Sequence, residues 1–95
     1  MAKIRRLVLD TLKPYEPSIM ELATQLSELD GVSAVNISIV EIDRKVENAK
    51  ITIEGEKIPY PQVYEVIEEL GGTLHSIDEV VAGKMIIDDA VTLQD

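Results

Sequence analysis

The chain has 95 residues, a net charge of −9, three tyrosines, and no cysteine, tryptophan or phenylalanine. That length makes one domain with a single modest core, and the core has to be aliphatic. The lack of cysteine excludes disulfides, thiolate nucleophiles and Cys-based zinc or iron–sulfur sites, and the acidic surface repels phosphate backbones, so no nucleic-acid partner is expected.

Along the chain, "IRRLVLDTL" reads as a first strand. Leu7 and Leu9 alternate with Arg6, Val8 and Asp10, which gives one apolar face and one mixed face. "KPYEP" breaks the pattern, and Pro17 favours a first helical turn. Ser18 with Glu21 three positions on has the form of a capping box. Ile19, Leu22, Leu26 and Leu29 then share one face of a helix, and Gly31 stands where a left-handed residue ends it.

"VNISIVEID" is a second strand, with Val35, Ile37 and Ile39 on one face and Asn36, Ser38, Val40 and Ile42 on the other. The polar turn "RKVEN" leads back through "AKITIEG", whose Ile51 and Ile53 point inward, making a hairpin. "PYP" launches a second helix with Val63, Val66, Ile67 and Leu70 on one face, closed by Gly71 and Gly72. "TLHSIDEVVAG" is a fourth strand of less regular alternation.

The order β-α-β-β-α-β is that of an α+β, ferredoxin-like sandwich. Right-handed crossovers put both helices on one face of a four-stranded antiparallel sheet in the order 4-1-3-2. Residues 1–83 form this domain and residues 84–95 a C-terminal extension. The first and third strands are neighbours in such a sheet. Pairing residues whose numbers sum to sixty sets Asp10 beside Lys50, Val8 beside Thr52 and Arg6 beside Glu54. Opposite charges then meet twice on the face without helices, which discourages a slipped register.

No residue pattern marks a catalytic centre. Asp10 follows the apolar end of the first strand, where ligand groups often sit, although an ion pair with Lys50 accounts for it simply. His75 begins the fourth strand at the same end of the sheet. No Ser, Cys or paired carboxylate can be placed beside it as a general-base partner. Asp10, His75 and Ser76 are therefore the one speculative ligand pocket.

Glu65, Glu68 and Glu69 fit a solvated helix face. Asp88 and Asp89 offer oxygens to a hard divalent cation held weakly, without the spacing of an EF-hand. No GxGxxG or P-loop supports a nucleotide. The expectation is a non-enzymatic chain with no catalytic residue, no cofactor and no dedicated metal site.

Self-association is the more promising direction. Val8, Val40 and Ile42 are expected on a sheet face that no helix covers, and a bare apolar cluster there calls for a partner. The extension "KMIIDDAVTLQD" adds Met85, Ile86, Ile87, Val91 and Leu93. Such a tail is too apolar for an inert terminus and suits either the open face or the sheet edge of a neighbouring chain. These six residues, Val8, Val40, Ile42, Met85, Ile86 and Ile87, are the expected oligomer contacts.

Charge is lopsided. Residues 1–58 carry eight Lys/Arg against ten Asp/Glu, and residues 59–95 carry one against eight. This suits solubility, a counter-charged partner or loosely held cations. The N-terminus lacks the apolar stretch of a signal peptide, and no apolar run reaches the roughly 18 residues of a membrane span, so a cytoplasmic protein without a membrane partner is expected.

The stretches "RRLVLD", "ELDGVSAVNISIVEIDRKVENAKITIEG" and "YEVIEELGGTLHSIDEVVAG" resemble, over almost the whole chain, an archaeal family of ferredoxin-like proteins catalogued as a domain of unknown function, number two hundred and eleven. The resemblance implies an archaeal source, no assigned activity, and ring-like assembly of identical chains. It supplies no catalytic residues.

A more distant similarity runs to heavy-metal-associated domains, through "GV..V" after the first helix and the helix ending in "GG". Those domains bind soft metals through a Cys-x-x-Cys before helix one. Here that region reads "TLKPYEPS", with no sulfur ligand, so the resemblance brings no soft-metal transport with it. The reading is a self-associating domain with a regulatory or scaffolding role. The alternative is a small-ligand sensor similar to amino-acid-binding regulatory domains, using Asp10 and His75.

Overall fold

Residues 2–87 are described by the computed structural model of the chain. The strands are β1 (Ile4–Pro14), β2 (Val32–Ile42), β3 (Val46–Gly55) and β4 (Thr73–Ala82). The helices are α1 (Ile19–Ser27) and α2 (Tyr60–Glu69). The four strands form one antiparallel sheet in the order β2-β3-β1-β4, the expected order read from the other edge.

Each helix forms where its local signals are strongest. At the start of α1 the Ser18 hydroxyl accepts the Glu21 amide at 3.3 Å, so Pro17 precedes the cap and does not sit in the first turn. Leu22 and Leu26, four apart, turn fully inward. The chain then makes a further turn, with the Leu29 amide donating to the Leu26 carbonyl, before Gly31 adopts φ +96° and enters β2. α2 ends in two reversed bonds, Gly72 N–H to Ile67 O at 2.9 Å and Gly71 N–H to Glu68 O at 3.0 Å. Gly71 takes the positive φ that this termination requires.

The core lies between the helices and the central strands. Leu7 and Leu9 of β1, Ile51 and Ile53 of β3, Leu22, Leu26, Val63 and Ile67 of the helices, and Ile58 before α2 form one buried cluster. All nine are aliphatic, as the composition demands. Each such side chain contributes about 1.5–3 kcal/mol by leaving water.

The ladder between β1 and β3 follows the expected register from Arg6↔Glu54 through Val8↔Thr52 and Asp10↔Lys50 to Pro14↔Val46 without interruption. The outer strands are less regular. β4 shifts against β1 between Val8 and Leu9 and again between Asp10 and Thr11, which accounts for its weak alternation in sequence. β2 shifts against β3 between Ile39 and Glu41, so Val40 is the extra residue.

These shifts break up the apolar cluster expected from Val8, Val40 and Ile42. Val8 faces the open side but is only 7% exposed, because it sits on a central strand between Thr52 and Glu79. Past the bulge, Ile42 pairs with Glu47 and so turns to the helix side, not the open one. Val40 and Ile42 remain well exposed, but they do not meet Val8 on one face.

The tightest backbone approach is at the other end of the sheet, where β3 ends beside the turn after α1. A Cβ added to Gly55 would lie 2.0 Å from the Gly31 carbonyl oxygen and 2.9 Å from the Val32 Cα. Backbone cannot move aside there as a side chain would. Gly55→Ala should lower stability by about 3 kcal/mol in urea unfolding. Gly83→Ala, with no atom within 4 Å of the new Cβ and only a positive φ to resist it, should lower it by about 1 kcal/mol.

Candidate functional site

The helix-free face is read along β1 as Arg6, Val8, Asp10 and Leu12, with Glu54, Thr52, Lys50 and Asn48 opposite them on β3. At one end the Arg6 guanidinium spans three strands. Its Nε lies 2.8 Å from Glu54 Oε2 and its Nη1 2.9 Å from Glu79 Oε2. These are charge-assisted bonds with both carboxylates held close to the sheet.

Further along, the structure brings Asp10, His75 and Ser76 together. Asp10 pairs with Ser76 across β1 and β4, and the next pair is Thr11 with Leu74, so His75 is the extra residue of a bulge. In a regular strand His75 would face opposite to Ser76. The bulge brings its Nδ1 to 3.9 Å from Asp10 Oδ2. Ser76 donates to Asp78 Oδ1 at 2.7 Å. The cluster lies on open surface, with 61% of the His75 side chain and 30% of the Asp10 side chain exposed.

Asp10 does not form the expected ion pair with Lys50. Its Oδ1 accepts the Asn48 amide, and Asn48 is itself anchored by donating to the Thr11 carbonyl at 3.0 Å. A fixed amide on the same face captures the carboxylate, and Lys50 stays exposed. Next to Asn48 is a recess of about 300 Å³ lined by Leu12, Glu41, Ile42, Asp43 and Val46. A hollow of about 660 Å³ lies at the other end of β1 against Lys3, Arg5, Glu56, Gly83 and Lys84.

Two residues that matter were missed in the sequence. Lys13 is 2% exposed, and its Nζ donates to Pro14 O at 2.7 Å and to Glu47 Oε1 at 3.0 Å. The alternation Leu7, Leu9, Thr11, Lys13, with Glu47 opposite Lys13 in the sum-of-sixty register, was enough to find it. Arg5 donates from Nε to the Gly55 carbonyl at 3.0 Å and from Nη1 to the Lys84 carbonyl at 2.6 Å. It thus ties the end of β3 to the chain leaving β4.

Held there, Met85, Ile86 and Ile87 are 68%, 37% and 53% exposed, and Ile86 lines a small recess with Ser33, Glu54 and Glu56. Asp88, Asp89, Val91 and Leu93 lie outside the described residues.

The remaining carboxylates behave as a helix surface. Glu65, Glu68 and Glu69 are exposed on α2. The negative charge of Glu68, together with the bond it accepts from the Tyr64 hydroxyl, raises that phenol above its ordinary 10.0. Among the described residues no three His, Asp or Glu side chains converge as metal ligands, and no helix is long and apolar enough to cross a membrane.

The fold and the site define a small α+β sandwich of four antiparallel strands and two helices in β-α-β-β-α-β order, with a polar open sheet face and an apolar leg at one end. The family DUF211, described as "Uncharacterized ArCR", matches residues 5–95, and the chain belongs to it. An uncharacterized protein of Methanocaldococcus jannaschii, MJ0319, is 54% identical over 95 residues, covering 100% of this chain and 98% of that one. The expectation of an archaeal family of unknown function therefore stands.

The Arg6 bridge offers a direct test of the open face. Arg6→Met leaves Glu54 and Glu79 on either side of β1 without their shared cation. The variant should be about 1 kcal/mol less stable at low ionic strength. Added salt should shrink the difference as it screens the two carboxylates, which urea unfolding at two salt concentrations would read.

Proposed function

We propose that the chain is a cytoplasmic, non-enzymatic domain that assembles with copies of itself and serves a regulatory or scaffolding role. One observation carries this reading. Arg5 holds the start of the C-terminal extension by the carbonyls of Gly83 and Lys84, and the Gly83 amide donates to Lys3 O at 2.9 Å. The three apolar residues that follow are thus presented from a fixed base at the end of the sheet. Three neighbouring large aliphatic side chains left in water on a small acidic domain favour burial against a partner, and a second copy supplies an equal leg. The family match brings no activity that would compete with this reading.

A second reading has its own observation. The bulge in β4 sets His75 and Ser76 against Asp10 on the open face of the sheet. A carboxylate, an imidazole and a hydroxyl on one open face suit a small zwitterionic ligand such as an amino acid, held by charge and hydrogen bonds. This makes the domain a sensor whose ligand state adjusts its assembly, resting on fold analogy for the ligand class.

Sedimentation at micromolar concentration tests assembly. The native chain should sediment as a multimer, and the triple variant Met85→Ser/Ile86→Ser/Ile87→Ser, or deletion of residues 84–95, should shift it toward monomer. A native chain that stays monomeric would sink the reading.

Thermal unfolding against a panel of amino acids tests the sensor. A ligand at one hundred times its dissociation constant should add about 2.7 kcal/mol, and Asp10→Asn should abolish the gain. An unmoved midpoint across the panel removes the sensor and leaves assembly.

A further inference from the structure

We infer that the free edge of β2 is a two-fold pairing surface for the β2 edge of a second copy, joining two four-stranded sheets into one. The inference rests on the self-association reading above but names a different surface from the C-terminal leg. Among the described strands β2 pairs with β3 alone, and none lies on its other side. Along that side every second residue presents an unpaired N–H and C=O, which is a template for another strand.

Edges of this kind are ordinarily blunted by charge, proline or irregularity, and the two edges of this sheet differ sharply. β4 carries His75, Asp78 and Glu79, and its register against β1 shifts at three places. β2 reads VSAVNISIV from Val32 to Val40, with neither an ionisable side chain nor a proline. Its two register shifts, between Val32 and Ala34 and between Ile39 and Glu41, lie toward its ends, and the register is unbroken from Ala34 to Ile39.

Charge permits a second copy as the occupant, and the pattern of the strand about Ile37, apolar Val35 with Ile39 and polar Asn36 with Ser38, favours it. Copies of a chain with net charge −9 repel one another, and they approach most easily where neither brings a carboxylate. A strand of nine uncharged residues on each copy meets that condition, and a two-fold axis lets the same surface serve both.

With Ile37 on the axis, Val35 faces Ile39 of the second copy on the helix side. Asn36 faces Ser38 of the second copy on the open side. Val35, Ile37 and Ile39 are only half-buried in the single chain, so pairing would complete their burial and run the aliphatic core across the axis. Asn36 and Ser38 are exposed and uncharged, suited to hydrogen bonds between copies.

The absence of cysteine makes a register-specific test possible. Asn36→Cys and Ser38→Cys are made as separate full-length proteins, mixed and oxidised. Directly opposed Cβ atoms lie about 4.5–5.5 Å apart, within reach of a disulfide after a small shift, whereas like residues across the axis lie diagonally at about 7–8 Å. The mixture should give a covalent dimer in far higher yield than either variant alone.

In parallel, Ser38→Lys, at an exposed position that leaves the core untouched, should weaken association by about tenfold or more. Amide protons of residues 34–39 should gain protection from hydrogen exchange as the native protein is concentrated.

If the native chain assembles but the mixture gives no dimer and Ser38→Lys associates normally, the β2 edge is not the interface and self-association stands on the C-terminal leg alone. A native chain that is monomeric at all concentrations overturns both readings together.

Discussion

A slip of β3 by one residue against β1 would turn Ile51 and Ile53 into water and carry Lys50, Thr52 and Glu54 into the core, against Leu7 and Leu9. The whole molecule depends on that not happening, because without a single tryptophan or phenylalanine the core has no large ring to compensate for a lost aliphatic contact. Period two makes the penalty all-or-none. The uninterrupted ladder from Arg6 to Pro14 is therefore the fixed frame, and both helices pack on the face it defines. Apart from the extra residue Arg5 near the start of β1, the irregularities fall in β2 and β4, the strands with only one neighbour, where a bulge disturbs half as many hydrogen bonds.

That division also explains how far the sequence could be read. Where a residue pattern is opposed by burial on one side and water on the other, it is explicit, as in the core faces of α1 and α2, the β1–β3 register and the glycine stop after α2. The bulges left no such mark. A bulge changes which face each later residue takes, yet "SIVEI" looks equally plausible with Ile42 on either side of an exposed edge. The same holds for His75, whose approach to Asp10 depends on one unpaired residue in β4. The cluster of Asp10, His75 and Ser76 was legible as a shared end of the sheet but not as a contact. Lys13 was legible and passed over because a lysine on an inward position reads as an error until its register partner, Glu47, is placed.

The proposed interaction surfaces follow from what the frame leaves unfinished. A 95-residue sandwich with two helices can cover one sheet face, so the other must be made polar or shared. Here it is largely polar: Arg6 with its two glutamates, Asp10 with Asn48, and Ser76 with Asp78 satisfy one another in place. Val8 and Val81 are buried among them. The open face is thus closer to a finished surface than its alternation suggests, and the unfinished apolar groups are found at its margins, in the leg after Gly83 and along β2.

The placement of charge bears on why the strands take this order at all. β1 contributes Arg6 to the open face and Lys13 to the helix face. The acids that meet them come from its two neighbours, Glu54 and Glu47 on β3 and Glu79 on β4. A central strand rich in cations lies between flanks that supply anions, on both faces at once. Moving β2 next to β1 would set those cations against a strand whose only charge is Glu41, near its end, leaving Lys13 buried with no carboxylate to receive it. Each pair is worth little in isolation, about 1 kcal/mol where it is partly exposed. The difference between a paired and an orphaned buried lysine is several times larger. Aliphatic burial therefore drives collapse and is nearly indifferent to which strand lies beside which. The ion pairs, weak as contributors to stability, discriminate among the arrangements that collapse alone would permit.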